Sequence, residues 1–129
     1  YSAHLDLHSF PHDALPICLT DRALKRAGLD YWDAVDLHRH PSWDAWLAEA
    51  PPRFHLLSTA GPRSHFEAQY RPGDALVFGC ETSGLPDAIL ARWPDRVVQI
   101  PMRTDRVRSL NLATAAGIVM YEALRQCAR

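Results

Sequence analysis

Cys80, Glu81, Ser109 and Asn111 are the side chains best placed to do chemistry, because they fall in two loops that follow short apolar runs. The first loop lies in Leu76–Pro86, LVFGCETSGLP, and the second in Val97–Asn111, VVQIPMRTDRVRSLN. A carboxylate such as Glu81 can accept hydrogen bonds from a ribose or orient an arginine; pairing with a structural arginine across an interface accounts for it equally well. Cys80 offers a nucleophile for a hydrolase or transferase, but a thiolate needs a base beside it, and the sequence places neither His55 nor His65 to serve. Ser109 and Asn111 enter the last helical stretch, where each can cap the helix or meet a ligand. Capping suits Ser109 and leaves Asn111, a poor helix former in a first turn, as the functional candidate. Gly79 removes a side chain where a ligand approaches the backbone, and Gly84 permits the turn back into a helix. The chain has neither a GxGxxG fingerprint nor a GK[ST] phosphate loop.

Such loops become ligand sites when strands present them at their carboxyl ends. Phe54–Ser58 (FHLLS), Ala75–Phe78 and Val97–Ile100 read as compact apolar strands, the second introduced by the turn Arg71–Asp74. Leu57 therefore holds the same strand-end position as Gly79 and Ile100. Leu85–Trp93 reads as a helix with Pro86 in its first turn, and Leu110–Gln126 as the last helix. That helix is apolar nearly all round, and Gly117 with its alanines predicts burial between the sheet and a neighbouring subunit. Upstream, Thr20 caps a helix Asp21–Ala27 closed by Gly28, and Leu29–Leu37 bends into a short strand. Ser42 begins a helix Trp43–Ala50 stopped by Pro51 and Pro52, with Trp43, Trp46 and Leu47 as its buried stripe. The alternation predicts an α/β fold with a mainly parallel sheet and helices on both faces. Tyr1–Leu19 shows no sustained period. His4, His8 and His12 would align on a helix, but Pro11 interrupts it and no carboxylate or cysteine completes a ligand set, so no metal site is assigned.

With 129 residues the chain is read as one domain, small enough to favour a partner subunit. Its 47% hydrophobic and 22% charged residues are ordinary for a globular protein, and no apolar run approaches the roughly 20 residues of a membrane span. Three dispersed cysteines argue against a disulfide framework and fit a reducing cytoplasm. The net charge of −1 conceals an asymmetry: Tyr1–Ala50 has four Lys/Arg against eight acids, and Arg92–Arg129 has seven Arg against three acids. A basic end of this kind faces phosphate or pairs with the acidic front of another subunit.

FGCETSGLP followed by IPM…RSLNLATAAGIVMYEALRQ resembles the second and third motifs of the SPOUT class of RNA 2′-O-methyltransferases. Within that class the chain is most similar to the tRNA (cytidine/uridine) enzymes of the anticodon wobble position, which carry a segment like DRALKRAGLDYWD; the resemblance runs from about Thr20 to Arg125. It implies a C-terminal trefoil knot holding S-adenosylmethionine, with Leu57, Gly79, Ile100 and Ser109 at the cofactor and Glu81 and Asn111 where the substrate ribose meets the methyl group. It also implies a tRNA partner and a homodimer formed through the last helix. Family members begin with a strand and an NTGNIIR-type loop whose arginine assists the hydroxyl, and Tyr1–Leu19 contains nothing similar. Residues 1–19 are accordingly read as an atypical segment foreign to the fold, residues 20–129 as the methyltransferase domain, and transfer as weakened or lost without that arginine. The loop from Met102 to Arg108 is one residue longer than the family pattern. A non-catalytic RNA- or cofactor-binding knotted module and a Cys80-dependent hydrolase are the competing functions.

Overall fold

In the computed structural model, residues 6–9, 36–80, 83–102 and 110–128 are described. The predicted helix Asp21–Ala27, most of Leu29–Leu37, His4, His12, Glu81, Ser109 and most of the loop between Met102 and Arg108 lie outside them. Two compact units divide the chain, Tyr1–Glu49 and Ala50–Arg129.

In the first unit, strand β1 (Asp6–Ser9) pairs in parallel with β2 (Asp36–Arg39). β1 falls where no element was predicted: LDLHS alternates apolar and polar residues for too few positions to stand out as a strand signal. Helix α1 (Trp43–Leu47) starts as the sequence predicts, with the Ser42 hydroxyl accepting from the Ala45 amide, but stops three residues before the expected Ala50. Trp46 is buried and its ring centroid lies 5.0 Å from that of Trp43.

The second unit is built on a three-stranded parallel sheet in the order β4-β3-β5, formed by β3 (Phe54–Leu57), β4 (Ala75–Phe78) and β5 (Val97–Val98). All four residues of the central strand are buried, as a continuous apolar run covered on both faces must be. β5 is shorter than predicted because beyond Val98 the chain pairs with the loop that follows β3. The Gln99 amide donates to the Arg63 carbonyl at 2.9 Å, and the His65 amide donates to the Gln99 carbonyl at 2.7 Å. Helix α2 (Asp87–Arg92) lies between β4 and β5 in sequence, and helix α3 (Leu112–Cys127) follows β5. No helix among the described residues is long and apolar enough to cross a membrane.

One core joins Leu57, Ala68, Tyr70, Val98 and Val119, with Phe78, Ile100 and Ala123 packed against it. Gln126 fixes the end of α3 to the segment before β4: its side chain donates to the Ala68 carbonyl at 3.0 Å and accepts from the Tyr70 amide at 2.9 Å. Burial, reinforced by the Glu122 charge, pushes the Tyr70 phenol up to about 12. The Arg125 hydrogen bonds hold the Glu122 carboxyl below the usual range. Val119 and Glu122 are the buried residues of α3, while Ile118 and Tyr121 are exposed, the latter by 75%. Within this chain the core packs against one face of the helix.

Candidate active site

The carboxyl ends of the three parallel strands open on a cleft of about 510 Å³. Leu57, Ser58 and Thr59 line it from β3, Phe78 and Gly79 from β4, Ile100 and Met102 from the segment after β5, and Leu112 and Ala115 from α3. Parallel strands end with their carbonyls and the following loop amides unpaired by a neighbour, so this edge meets a ligand with backbone polar groups. The surrounding side chains are mainly aliphatic. Asp87, in the first turn of α2, is the one charged side chain among the described lining residues. An apolar ring and a positively charged group fit the described part of this lining.

The turn from β4 to α2 owes its shape to a close approach within the chain. A β-carbon on Gly79 would sit 2.6 Å from the Gly84 carbonyl oxygen and closer still to the Gly84 carbon and the Leu85 nitrogen. Gly79 makes room for the chain's own return path, and the cleft that it lines forms beside it. Gly84 has φ 68°, a left-handed conformation that glycine adopts without strain, and its amide donates to the Cys80 carbonyl at 2.9 Å. Cys80 and Ser83 share a Sγ–Oγ hydrogen bond of 2.8 Å across this turn. No histidine is among the described residues lining the cleft. His55 is bound through Nε2 to the Asp74 carboxylate at 2.9 Å, and His65 is fully buried. A base for Cys80 is therefore not supplied by either.

Asn111 caps α3: its Oδ1 accepts from the Ala113 amide at 2.9 Å and the Thr114 amide at 3.3 Å. The sequence reading gave capping to Ser109 and chemistry to Asn111; the helix begins two residues later than predicted, which moves the cap to Asn111. With Oδ1 committed to the helix, the amide NH2 is the group through which Asn111 can also meet a ligand. Asn111 lies between Leu110 and Leu112, both of which line the cleft. Leu57, Gly79 and Ile100 are brought together as their strand-end positions predict, whereas Glu81 and Ser109 fall outside the described residues. Ser58 and Thr59 line the cleft from the strand end where the sequence places them beside Leu57, whereas Asp87, which opens α2, and Met102, four residues beyond β5, were not singled out.

A family model described as the SpoU rRNA Methylase family matches residues 14–121. The chain belongs to that family. The tRNA (cytidine(34)-2′-O)-methyltransferase of Saccharophagus degradans is 46% identical over 110 residues, which is 84% of this chain and 71% of the relative. A solved structure described as giving insights into the 2-OH methylation of C/U34 on tRNA matches with a TM-score of 0.82 at 47% identity, covering 94% of this chain and 78% of that one. The SpoU methyltransferase AviRb of Streptomyces viridochromogenes, solved in complex with AdoMet, matches with a TM-score of 0.74 at 28% identity, covering 94% of this chain and 49% of that one. The SpoU assignment agrees with the motifs FGCETSGLP and RSLN and with the α/β fold on a parallel sheet.

Proposed function

We propose that this chain transfers a methyl group from S-adenosylmethionine to the ribose 2′-hydroxyl of a tRNA nucleotide at the wobble position, number 34 in the relatives. The observation that carries this reading is the cleft at the strand ends. It gathers Phe78, Gly79 and Cys80, Ile100 and the entry to α3, in a chain 46% identical to a position-34 methyltransferase. When bound, the cofactor supplies an electrophilic methyl group on a sulfonium. Backbone groups at Leu57, Gly79 and Ile100 hold the adenosine part between aliphatic side chains, and Ser109 joins them from the third motif. Glu81 and Asn111 are assigned to the acceptor side, where a carboxylate and an amide hold the ribose hydroxyl in line with the methyl group. Placing the reactants in this way is the main demand of an in-line transfer that needs no metal.

The same reading includes a trefoil knot in the C-terminal half, a methyltransferase domain over residues 20–129, a cytoplasmic location where tRNA is met, and a homodimer through α3. Ile118 and Tyr121, exposed on that helix, support the dimer. The test is to incubate the purified chain with S-adenosylmethionine and unmodified tRNA, digest the product and map 2′-O-methylated nucleosides by mass spectrometry. Methylated cytidine or uridine at position 34 is the expected result, with transfer weakened as the sequence predicts without the NTGNIIR-type arginine. Cofactor binding without any methylation would favour the non-catalytic module, and methylation confined to another position would refute the substrate assignment.

A further inference from the structure

We propose that Asp87 is a positioning residue for the cofactor's amino-acid tail, receiving its ammonium group at the mouth of the cleft. This rests on the methyltransferase reading above and extends it to a residue outside both motif loops. Three observations support it. Asp87 lines the cleft and is its one charged side chain among the described residues. It is also solvent-exposed, so it stands where a flexible charged tail leaves the apolar part of the site for water. The rest of the described lining is aliphatic side chains, the Phe78 ring, the Met102 thioether, small hydroxyls, one thiol and backbone, which suits an adenosine and leaves Asp87 as the one opposite charge for the tail's cation among the described residues. A carboxylate at that point draws the ammonium toward α2 and turns the tail's own carboxylate away.

An ion pair in so exposed a place is weak, and removing it changes affinity by about two- to fivefold. Calorimetric titration of the full chain with two probes isolates the effect. S-adenosylhomocysteine keeps the amino-acid tail and lacks the sulfonium charge; 5′-methylthioadenosine lacks both. Asp87→Asn is expected to weaken S-adenosylhomocysteine by about two- to fivefold and to leave 5′-methylthioadenosine unchanged. Asp87→Glu should bind as the unaltered chain does. Asp44→Asn, an equal change of charge on α1, should have no effect. Equal weakening of both probes would mean a ribose contact or a general disturbance and would overturn the proposal, as would an unchanged Kd for S-adenosylhomocysteine. If the unaltered chain binds neither probe, the methyltransferase reading falls with it. Binding by the unaltered chain with no response to Asp87→Asn removes the positioning role alone.

Discussion

At the amino-terminal ends of β3 and β4, side chains hold the sheet together; at the carboxyl ends of the same strands, the backbone does. Asp74 sits at the first of these ends with its side chain only 6% exposed. Its carboxylate accepts from Arg53 Nε at 3.1 Å, His55 Nε2 at 2.9 Å and the Arg71 amide at 3.0 Å. Burial raises its pKa, but these hydrogen bonds outweigh that and hold the carboxyl below the usual range. The other end has no such hub among the described residues. There the Gly79–Leu85 turn fits its own backbone, and the space left over is the cleft. A hydrogen-bonded network around a buried carboxylate resists rearrangement but would obstruct a ligand, whereas a glycine turn keeps its shape while leaving backbone groups available for binding. Stability and binding are thus divided between opposite ends of one sheet, and substitutions at the two ends should separate them.

The largest effect is expected from Gly79→Ala. The added methyl group meets backbone rather than a flexible side chain, so the whole turn must shift, costing about 3 kcal/mol or more. Urea denaturation should show that loss and titration with S-adenosylhomocysteine should show binding abolished. A stable variant that binds normally would mean the turn does not define the cleft. Asp74→Ala comes next. It leaves His55 and Arg53 without their carboxylate, and because Arg53 is 42% exposed and can turn to water, the cost is about 2 kcal/mol. Cofactor affinity should be untouched, and a parallel loss of binding would erase the division between the two ends.

Asn111 distinguishes cap from chemistry at the carboxyl end. Asn111→Ala should cost about 1 kcal/mol as the α3 cap is lost, while Asn111→Ser restores capping and removes the amide. If Asn111→Ser is as stable as the unaltered chain yet methylates tRNA more slowly, the amide acts on the substrate; unchanged activity would leave Asn111 a cap only.

The smallest effect concerns acid. Burial lowers the pKa of His65, with Glu122 opposing, so the folded chain keeps this imidazole neutral. Its stabilising contribution is full above the unfolded value of 6.5 and is lost as pH falls below it, because the unfolded chain takes up a proton that the folded one resists. Asp74 follows the same sign further down, full above 3.8 and lost as pH falls toward its lowered folded value. One group contributes no more than about 1.4 kcal/mol per pH unit. Unfolding free energies measured from pH 7.5 to 5 should decline, and His65→Leu should flatten the decline between 6.5 and 5.

The sequence alone determined the three strand runs, the turn before β4, the start of α1 at Ser42 and the strand ends at Leu57, Gly79 and Ile100 that line the cleft. Each of these rests on local chemistry: apolar runs, a capping hydroxyl, glycine and proline at turns. The motifs also carried the family assignment. Tertiary structure alone decided which groups meet across the chain. His55 and Asp74 are 19 residues apart, and Gln126 reaches Tyr70 across 56. No periodicity within one element encodes such a meeting, since it follows from parallel pairing of distant strands and the docking of α3 on them. The same holds for Gly79, whose missing side chain makes room for Gly84 and Leu85, and for Asn111, whose capping role depended on where α3 begins. Residue types and spacing set the available chemistry, and packing between remote segments decided which groups were used to hold the fold and which were left for the cleft.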